Sequence, residues 1–509
     1  MRNNGLGSWP ARRARMSPQR TALVYGDDAL TYGDLDARVT RLAHAFDGLG
    51  VAHGDRVAYL GPNHPAFVET MFATHVLGAV FVPLNFRLAA PELEHMLSDS
   101  GASVFVYAPE CAGVVDEMRT RLGVRAVVSR DGGPPGDLAY EDLLSGGDTA
   151  RLDRPVDADD RALILYTSGT TGRPKGAVLT HANLVWNTLN LYVDVDVTTD
   201  EVTLVSAPLF HVAALNQTLL PTFLKGGCSV VMPGWDVEQC LDLVQRHRVT
   251  WMFGVTAMFA GLAQSPRWES ADLSSVRVLM TGGAPVPESL IRTYQERGLL
   301  FLQGYGLTET APGATFLGAE MSVSKAGSAG VPCFFVDTRV VRADGTDVAV
   351  GEPGEVLVQG PNVTPGYWQN EEATRAAFTG GWFRSGDIAT LDEDGYLYVV
   401  DRVKDMYISG GENVYPAEVE GALFAHPAVA ECAVIGVPDA RWGEVGKAFV
   451  VLRPEASADG TAPDELCDFL AGRLARYKVP REVEFLDALP RTGSGKVQKA
   501  VLRRREEAG

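Results

Sequence analysis

The feature that most constrains this chain is a loop at positions 166–176, which reads YTSGTTGRPKG. It follows the apolar run ALIL at 162–165, which predicts a buried β-strand. Glycines let backbone N–H groups approach an anion closely, hydroxyls add donors, and Lys175 adds a compact positive charge. The segment therefore predicts a strand followed by a phosphate-binding loop, with a nucleotide as the first ligand to consider.

This loop is not the common P-loop, because Pro174 precedes the lysine and Gly176 follows it. Its eleven residues resemble instead the signature of the adenylate-forming superfamily, which contains acyl-CoA synthetases, amino-acid-activating domains of peptide synthetases, and luciferases. The predicted phosphate-binding residues are Thr167, Ser168, Gly169, Thr170, Thr171 and Lys175.

Size and charge exclude several classes of protein. A chain of 509 residues predicts two or more domains. A net charge of −19 argues against nucleic acid as a partner and against membrane association. The sequence has no apolar run of transmembrane length, no apolar core of a signal peptide, and six scattered cysteines without a CxxC pair. We therefore expect a reduced, cytoplasmic protein.

Alternating strand and helix patterns predict an α/β fold in which helices cover mostly parallel sheets. Strands are expected at 55–60, 79–82, 202–206, 229–232, 251–253 and 276–280, and helices at 31–46, 65–77 and 91–97. Strand-like runs at 354–358 and 396–400 predict a small sheet-rich subdomain. Strands at 430–437 and 448–451 and a helix at 464–474 predict a small, mobile α+β C-terminal domain. The expected domains are 1–401 and 402–509.

Further motifs match the same superfamily in the same order: MTGGAP at 280–285, QGYGLTET at 303–310, WFRSGD at 382–387 and DRVKD at 401–405. The resemblance implies that the nucleotide contacts Gly283, Ala284, Gln303, Gly304 and Tyr305, with Tyr305 stacked on adenine. It implies that Thr308 donates to the α-phosphate and that Glu309 offers a hard oxygen to Mg²⁺. Asp387 and Arg402 are expected to bind the ribose.

In the C-terminal string PRTGSGKVQK at 490–499, Gly493 and Gly495 predict a mobile loop that presents Lys496. In relatives this lysine serves adenylation alone, where it stabilises the negative charge that develops as the carboxylate attacks phosphorus. The resemblance also implies that the C-terminal domain rotates about Lys404. That rotation would remove Lys496 and bring in Gly410 and Gly411, which line a narrow channel for the pantetheine of coenzyme A.

The acid substrate is constrained by His211, which the resemblance places at the mouth of the acyl pocket. The stretch VAAL at 212–215 offers no carboxylate for an α-amine, so amino-acid activation is disfavoured. Gln303 and Gly304 stand where malonate-type relatives carry an arginine, so a dicarboxylate is disfavoured too. The candidate pocket residues are small and apolar, which favours an apolar monocarboxylic acid; they are Ala213, Ala214, Gly254, Ala257, Gly283, Gly304, Gly306 and Ala311.

These motifs predict an ATP- and Mg²⁺-dependent, AMP-forming acyl-CoA synthetase, and the chain most resembles actinobacterial fatty-acyl-CoA synthetases. The acid is left open among medium or long fatty, aryl and bulky cyclic acids. Three other readings remain: loading of a carrier protein instead of coenzyme A, luciferase-like oxidation of the adenylate, and an adenylate-binding regulator without activity. The sequence leaves the pathway and the oligomeric state open.

Overall fold

The computed structural model describes residues 2–167, 174–283, 286–299, 301–402, 405–409, 412–439, 442–453, 462–471, 473–474, 476–491 and 497–507. By their internal contacts these residues form two units. The first comprises 1–338 and 358–383, and the second comprises 339–357 and 384–509. The predicted boundary near Lys404 is a different division, and it stays a prediction because Lys404 lies outside the described residues.

The first unit contains an eight-stranded sheet in which five of the seven neighbouring strand pairs are parallel. Its strands lie in the order Gly366–Tyr367, Lys175–Thr180, Arg161–Thr167, Val80–Leu84, Arg56–Leu60, Val104–Tyr107, Ala126–Ser129 and Leu138–Ala139. The first three strands pair antiparallel, so the phosphate-loop segment connects two strands of a hairpin. Val57, Ala58 and Tyr59 are fully buried because helices cover the sheet.

The first unit also contains a nine-stranded sheet. Its strands lie in the order Val331–Pro332, Gly313–Leu317, Phe301–Gly306, Val278–Gly282, Trp251–Gly254, Val202–Val205, Cys228–Val231, Thr21–Tyr25 and Asp28–Thr31. The central pairs are parallel and both edges are antiparallel. Because parallel strands align their carboxyl ends, one edge of this sheet gathers the loops that follow four neighbouring strands.

The described residues of the first unit also form a series of α-helices. They span Trp9–Met16, Tyr32–Gly48, Pro65–Val76, Ala90–Ser100, Ala112–Met118, Tyr140–Gly146, His181–Asp194, Val212–Ala214, Leu220–Lys225, Val237–His247, Thr256–Gln264, Glu288–Gln295 and Glu371–Ala376. The helix from Tyr32 begins where predicted, because Thr31 and Asp34 form a capping box. The predicted α/β fold with mostly parallel sheets is confirmed. No described helix could cross a membrane.

The second unit contains two small sheets. One includes Gly354–Gln359, Trp382–Leu391 and Leu397–Arg402, next to Asp337–Val341. The other follows the order Glu412–Val414, Tyr407–Ser409, Gly443–Leu452 and Val429–Asp439, with Glu482–Phe485 parallel to the third strand. Its helices are Pro416–Phe424, Pro463–Ala471 and Lys499–Glu507. The helix expected at 464–474 therefore ends earlier than predicted, at Ala471.

Two buried histidines pack against each other in the first unit, and one of them binds the N-terminal segment. The Leu6 N–H donates to His181 Nδ1 at 3.2 Å, and His75 Nε2 donates to the Ala162 carbonyl at 3.0 Å. The two rings meet edge to face with centroids 4.9 Å apart. Burial lowers the pKa of His75 to about 4 and holds the pKa of His181 well below its ordinary value. Both imidazoles are therefore neutral in the folded protein.

Acid should lower the stability of the folded protein, because it favours protonation of these two histidines in the unfolded chain. The unfolded chain binds protons on these histidines below a pH of about 6.5 while the folded chain does not, so stability falls as the pH drops from 6.5 towards 4. We expect the unfolding midpoint of His75→Gln to change less steeply over this range than that of the wild type, by about 1–2 °C per pH unit. Differential scanning fluorimetry from pH 7.5 to 4.5 measures both slopes, and parallel curves would contradict the assignment.

Candidate active site

The carboxyl edge of the nine-stranded sheet brings most of the predicted residues of the first unit together. Gly254 pairs with Thr281 and Gly282 pairs with Gly304, so neighbouring strands end at the same level. The predicted residues on or directly after these strands are Gly254, Ala257, Gly283, Gln303, Gly304, Tyr305, Gly306, Thr308 and Glu309. This edge is where parallel α/β sheets bind ligands.

His211 and the predicted pocket alanines follow another strand at the same edge. His211 precedes the short helix Val212–Ala214, which continues as a π-helical turn at Leu215–Leu219. Such turns are frequent at functional sites. The His211 ring lies against Phe210 at 4.4 Å between centroids, and Phe210 meets Phe86 edge to face at 5.6 Å. His211, which is predicted to lie at the mouth of the acyl pocket, therefore has aromatic neighbours.

The loop that carries Thr308 and Glu309 is held by buried side-chain amides. Asn216 donates to the Ala311 carbonyl, Asn362 donates to the carbonyls of Thr310 and Gly313, and Asn187 accepts from the Gly313 N–H at 2.9 Å. Asn187, Asn216 and Asn362 are at most 2% exposed. Because buried amides are costly unless paired, this network fixes one loop conformation. Sequence reasoning missed these residues, although asparagines within apolar stretches are a usable signal.

Three of the predicted pocket residues have local packing roles. A Cβ on Gly306 would lie 1.6 Å from the Pro312 carbonyl oxygen, and one on Gly254 would lie 3.2 Å from the Phe259 ring. Ala311 is fully buried and has a left-handed backbone, with φ of 62°. Close packing accounts for these small residues, and their place in an acyl pocket stays a prediction, as it does for Ala213, Ala214 and Ala257.

Glu309 and Lys175 both contact Tyr367. Glu309 lies in a short turn that follows a strand of the nine-stranded sheet, and Lys175 begins a strand of the eight-stranded sheet. The Tyr367 hydroxyl donates to Glu309 Oε1 at 2.8 Å, and Lys175 Nζ lies 5.6 Å from the centroid of the Tyr367 ring. Glu309 is 7% exposed. Sequence reasoning missed Tyr367, although the string PGYW at 365–368 combines turn and aromatic residues.

A single buried carboxylate suits a magnesium ion bound mainly by nucleotide phosphates and water. Tyr367 is the only described side chain that hydrogen-bonds the Glu309 carboxylate, so acceptor capacity remains for a cation. Within the described ranges no cluster of three or more His, Cys, Asp or Glu residues could hold a metal alone. The donor set thus fits a metal that arrives with its nucleotide.

The phosphate-loop hairpin is only partly described. Thr167 pairs with Lys175 across it, and both side chains are half-buried. Several predicted site residues lie outside the described residues: Ser168, Gly169, Thr170, Thr171, Ala284, Lys404, Gly410, Gly411 and Lys496. Their roles stay predictions.

The two predicted ribose ligands share a hairpin in the second unit. Asp387 lies opposite Arg402 in the antiparallel pair of Trp382–Leu391 and Leu397–Arg402. Asp387 is 4% exposed, and its N–H donates to the Ser385 hydroxyl at 3.0 Å. The fold therefore brings these two positions together, while ribose binding stays a prediction.

Family models match both parts of the chain. One described as AMP-binding enzyme matches residues 10–368, and one described as AMP-binding enzyme C-terminal domain matches residues 418–496. The structure is similar to the anthranilate–CoA ligase AuaEII in complex with anthranoyl-AMP. Their TM-score is 0.92 at 28% identity, over 99% of this chain and 98% of the other.

Characterised relatives align along the whole chain. It is 55% identical over 505 residues to a feruloyl-CoA synthase of an Amycolatopsis species, covering 99% of this chain and 100% of the relative. It is 43% identical to an indoleacetate–CoA ligase of Aromatoleum aromaticum, over 98% and 97% of the two chains. It is 40% identical to the long-chain-fatty-acid–CoA ligase FadD13 of Mycobacterium tuberculosis, over 100% and 99%.

These matches confirm the superfamily resemblance that the motifs carry. The chain belongs to the AMP-binding enzyme family, and it is an AMP-forming acid–CoA ligase.

Proposed function

We propose that the protein activates an aryl carboxylic acid, of the hydroxycinnamic type to which ferulic acid belongs, and transfers the acyl group to coenzyme A. The observation that carries the proposal is the 55% identity to a feruloyl-CoA synthase, against 40% to a long-chain-fatty-acid–CoA ligase. The cluster of Phe86, Phe210 and His211 supports it, since flat rings pack well against aromatic edges and faces. The proposal selects the aryl acids from the fatty, aryl and bulky cyclic acids that the sequence leaves open.

The first half-reaction forms the acyl-adenylate. A carboxylate oxygen of the acid bonds to the α-phosphorus of ATP, and the bond from that phosphorus to pyrophosphate breaks. Lys175 offsets charge on the departing pyrophosphate, Thr308 donates to the α-phosphate, and Lys496 stabilises the charge that develops during attack. Glu309 would hold a Mg²⁺ ion, which neutralises phosphate charge when bound.

The second half-reaction forms the thioester. The thiol of coenzyme A loses its proton, its sulfur bonds to the acyl carbon, and AMP leaves with the bonding electrons. AMP is a far better leaving group than the oxide of a free carboxylate, which is why adenylation comes first. We propose that rotation at Lys404 removes Lys496 and presents Gly410 and Gly411 to the pantetheine arm.

Substrate choice can be tested directly with a panel of acids. We expect kcat/KM for ferulate and related hydroxycinnamates to exceed that for any fatty acid of 8 to 16 carbons by about tenfold or more, a difference of about 1.4 kcal/mol in transition-state binding. The measurement is CoA-dependent AMP release with ATP and Mg²⁺, with indoleacetate and anthranilate as intermediate aryl acids.

A preference for fatty acids would contradict the aryl proposal while leaving the ligase class intact. Hydroxamate-trapped adenylate without consumption of coenzyme A would instead indicate a carrier protein as the acceptor.

If Lys496 serves adenylation alone, its removal should slow the first half-reaction and leave the rate of the second unchanged. Lys496→Ala should slow adenylate formation by about 100-fold or more, because a positive charge aimed at the reacting phosphate is lost. It should leave thioester formation from supplied feruloyl-adenylate within about twofold of wild type. ATP–pyrophosphate exchange measures the first step and thioester absorbance the second. Lys499→Ala is the matched control, since Lys499 pairs with Glu420 at 2.7 Å. Equal loss of both steps in Lys496→Ala would contradict the exchange of active-site residues.

A further inference from the structure

Tyr367 contacts two groups of opposite charge that the proposed mechanism uses. Its hydroxyl donates to Glu309 Oε1 at 2.8 Å, and its ring lies 5.6 Å from Lys175 Nζ. A hydrogen bond to a carboxylate is stronger than a neutral one, and a cation near an aromatic face is attracted by the ring. One side chain thus contacts both Lys175 and the Glu309 carboxylate.

The hydroxyl remains a donor throughout the physiological pH range. Burial, reinforced by the neighbouring Glu309 carboxylate, raises the pKa of Tyr367 above its ordinary value. A protonated phenol can donate to only one acceptor at a time. Glu309 therefore keeps one oxygen committed to Tyr367, and the other keeps its full capacity as an acceptor.

The segment that carries Tyr367 is fixed at several points. The Tyr367 N–H donates to the Thr374 hydroxyl at 2.9 Å, and the Trp368 N–H donates to the Gly176 carbonyl at 2.7 Å. Gly366 has φ of 141°, and a Cβ there would lie 2.4 Å from Thr374 Cγ2, so only glycine fits. These restraints hold the ring beside the strand that begins at Lys175.

A second link ties the same segment to Glu309. The Thr364 N–H donates to the Glu309 carbonyl at 2.7 Å, and the Thr364 hydroxyl donates to the carbonyl of Val178. The backbone and the side chain of Glu309 are thus both held by one short segment, at 364–367. A tyrosine that serves only the core would need one partner for its hydroxyl, whereas this segment bonds both the carbonyl and the carboxylate of Glu309.

We propose that Tyr367 is a positioning residue for adenylation, which orients the Glu309 carboxylate for a nucleotide-bound metal ion and keeps Lys175 beside it. The proposal rests on the proposed function for the roles of Glu309 and Lys175. Tyr367 acts through these two residues and takes no part in bond making.

Tyr367→Phe is the decisive substitution, because it keeps the ring and removes only the hydroxyl. We expect ATP–pyrophosphate exchange to fall by about tenfold or more, as for loss of a hydrogen bond to a charged group. Thioester formation from supplied adenylate should stay within about twofold of wild type. An equal loss in both half-reactions would overturn the proposal.

Metal binding provides a readout that needs neither turnover nor an acid. The probe is Mn²⁺ titrated in the presence of α,β-methylene-ATP, followed by the loss of the free-ion electron paramagnetic resonance signal. Tyr367→Phe should weaken Mn²⁺ binding severalfold, and unchanged binding would overturn the metal-orienting role. If the aryl-acid panel fails, this titration still tests Tyr367, so the two failures are distinguishable.

Two further variants separate positioning from general damage. Tyr107→Phe is the matched control, because the Tyr107 hydroxyl also donates to a carboxylate, Asp137 Oδ2, at 2.7 Å. Tyr107 belongs to the same sheet as Tyr367, but four strands lie between their two strands. It should keep wild-type exchange within about twofold, and a loss equal to that of Tyr367→Phe would overturn the proposal. In a Glu309→Gln background, Tyr367→Phe should cost less than about twofold. An undiminished loss in that background would show that Tyr367 does not act through Glu309.

Discussion

The arrangement of the first unit depends on the attachment of Glu309 to the segment at 364–367. A carboxylate at 7% exposure is costly unless it is paired, and the hydrogen bond from Tyr367 pairs it without neutralising its charge. The Thr364 N–H holds the same residue through its carbonyl. Because Thr364 and Tyr367 belong to the segment that pairs with the phosphate-loop hairpin, these bonds link the loop of Glu309 to the edge of the eight-stranded sheet.

In the proposed mechanism, this attachment places opposite charges beside the nucleotide. There Lys175 neutralises phosphate, while Glu309 offers an oxygen to a cation that accompanies the phosphates. The amides of Asn187, Asn216 and Asn362 hold the loop that follows Glu309. A loop held by buried amides need not reorganise when charge develops, and preorganisation of this kind is the usual source of electrostatic catalysis.

Much of the fold could be predicted from local sequence, because strand and helix periodicity reports burial directly. The strands from Arg56, Val80, Val202 and Trp251 and the capped helix from Tyr32 lie where the pattern places them. The early end of the helix at Ala471 was not foreseen, since the apolar residue Leu474 continues the helical spacing beyond it.

The site residues that belong to recognisable motifs could be predicted from the sequence. The strings at 166–176 and 303–310 led to Lys175, Thr308 and Glu309, and in the structure Lys175 and Glu309 both contact Tyr367. Tyr367 could not be found in this way, because its bond to Glu309 spans 58 residues and leaves no local periodicity. Gly306 was interpreted as a source of pocket volume, whereas the Pro312 carbonyl explains the need for glycine there.

The most direct test of the account is a crystal structure with Mg²⁺ and a non-hydrolysable mimic of feruloyl-adenylate. The account predicts that the adenylate lies along the carboxyl edge of the nine-stranded sheet, with its aryl group beside Phe210 and His211. It also predicts that the Glu309 carboxylate bonds to Tyr367 through one oxygen and faces the metal with the other. An adenylate bound elsewhere, or a Tyr367 hydroxyl turned away from Glu309 in the complex, would contradict it.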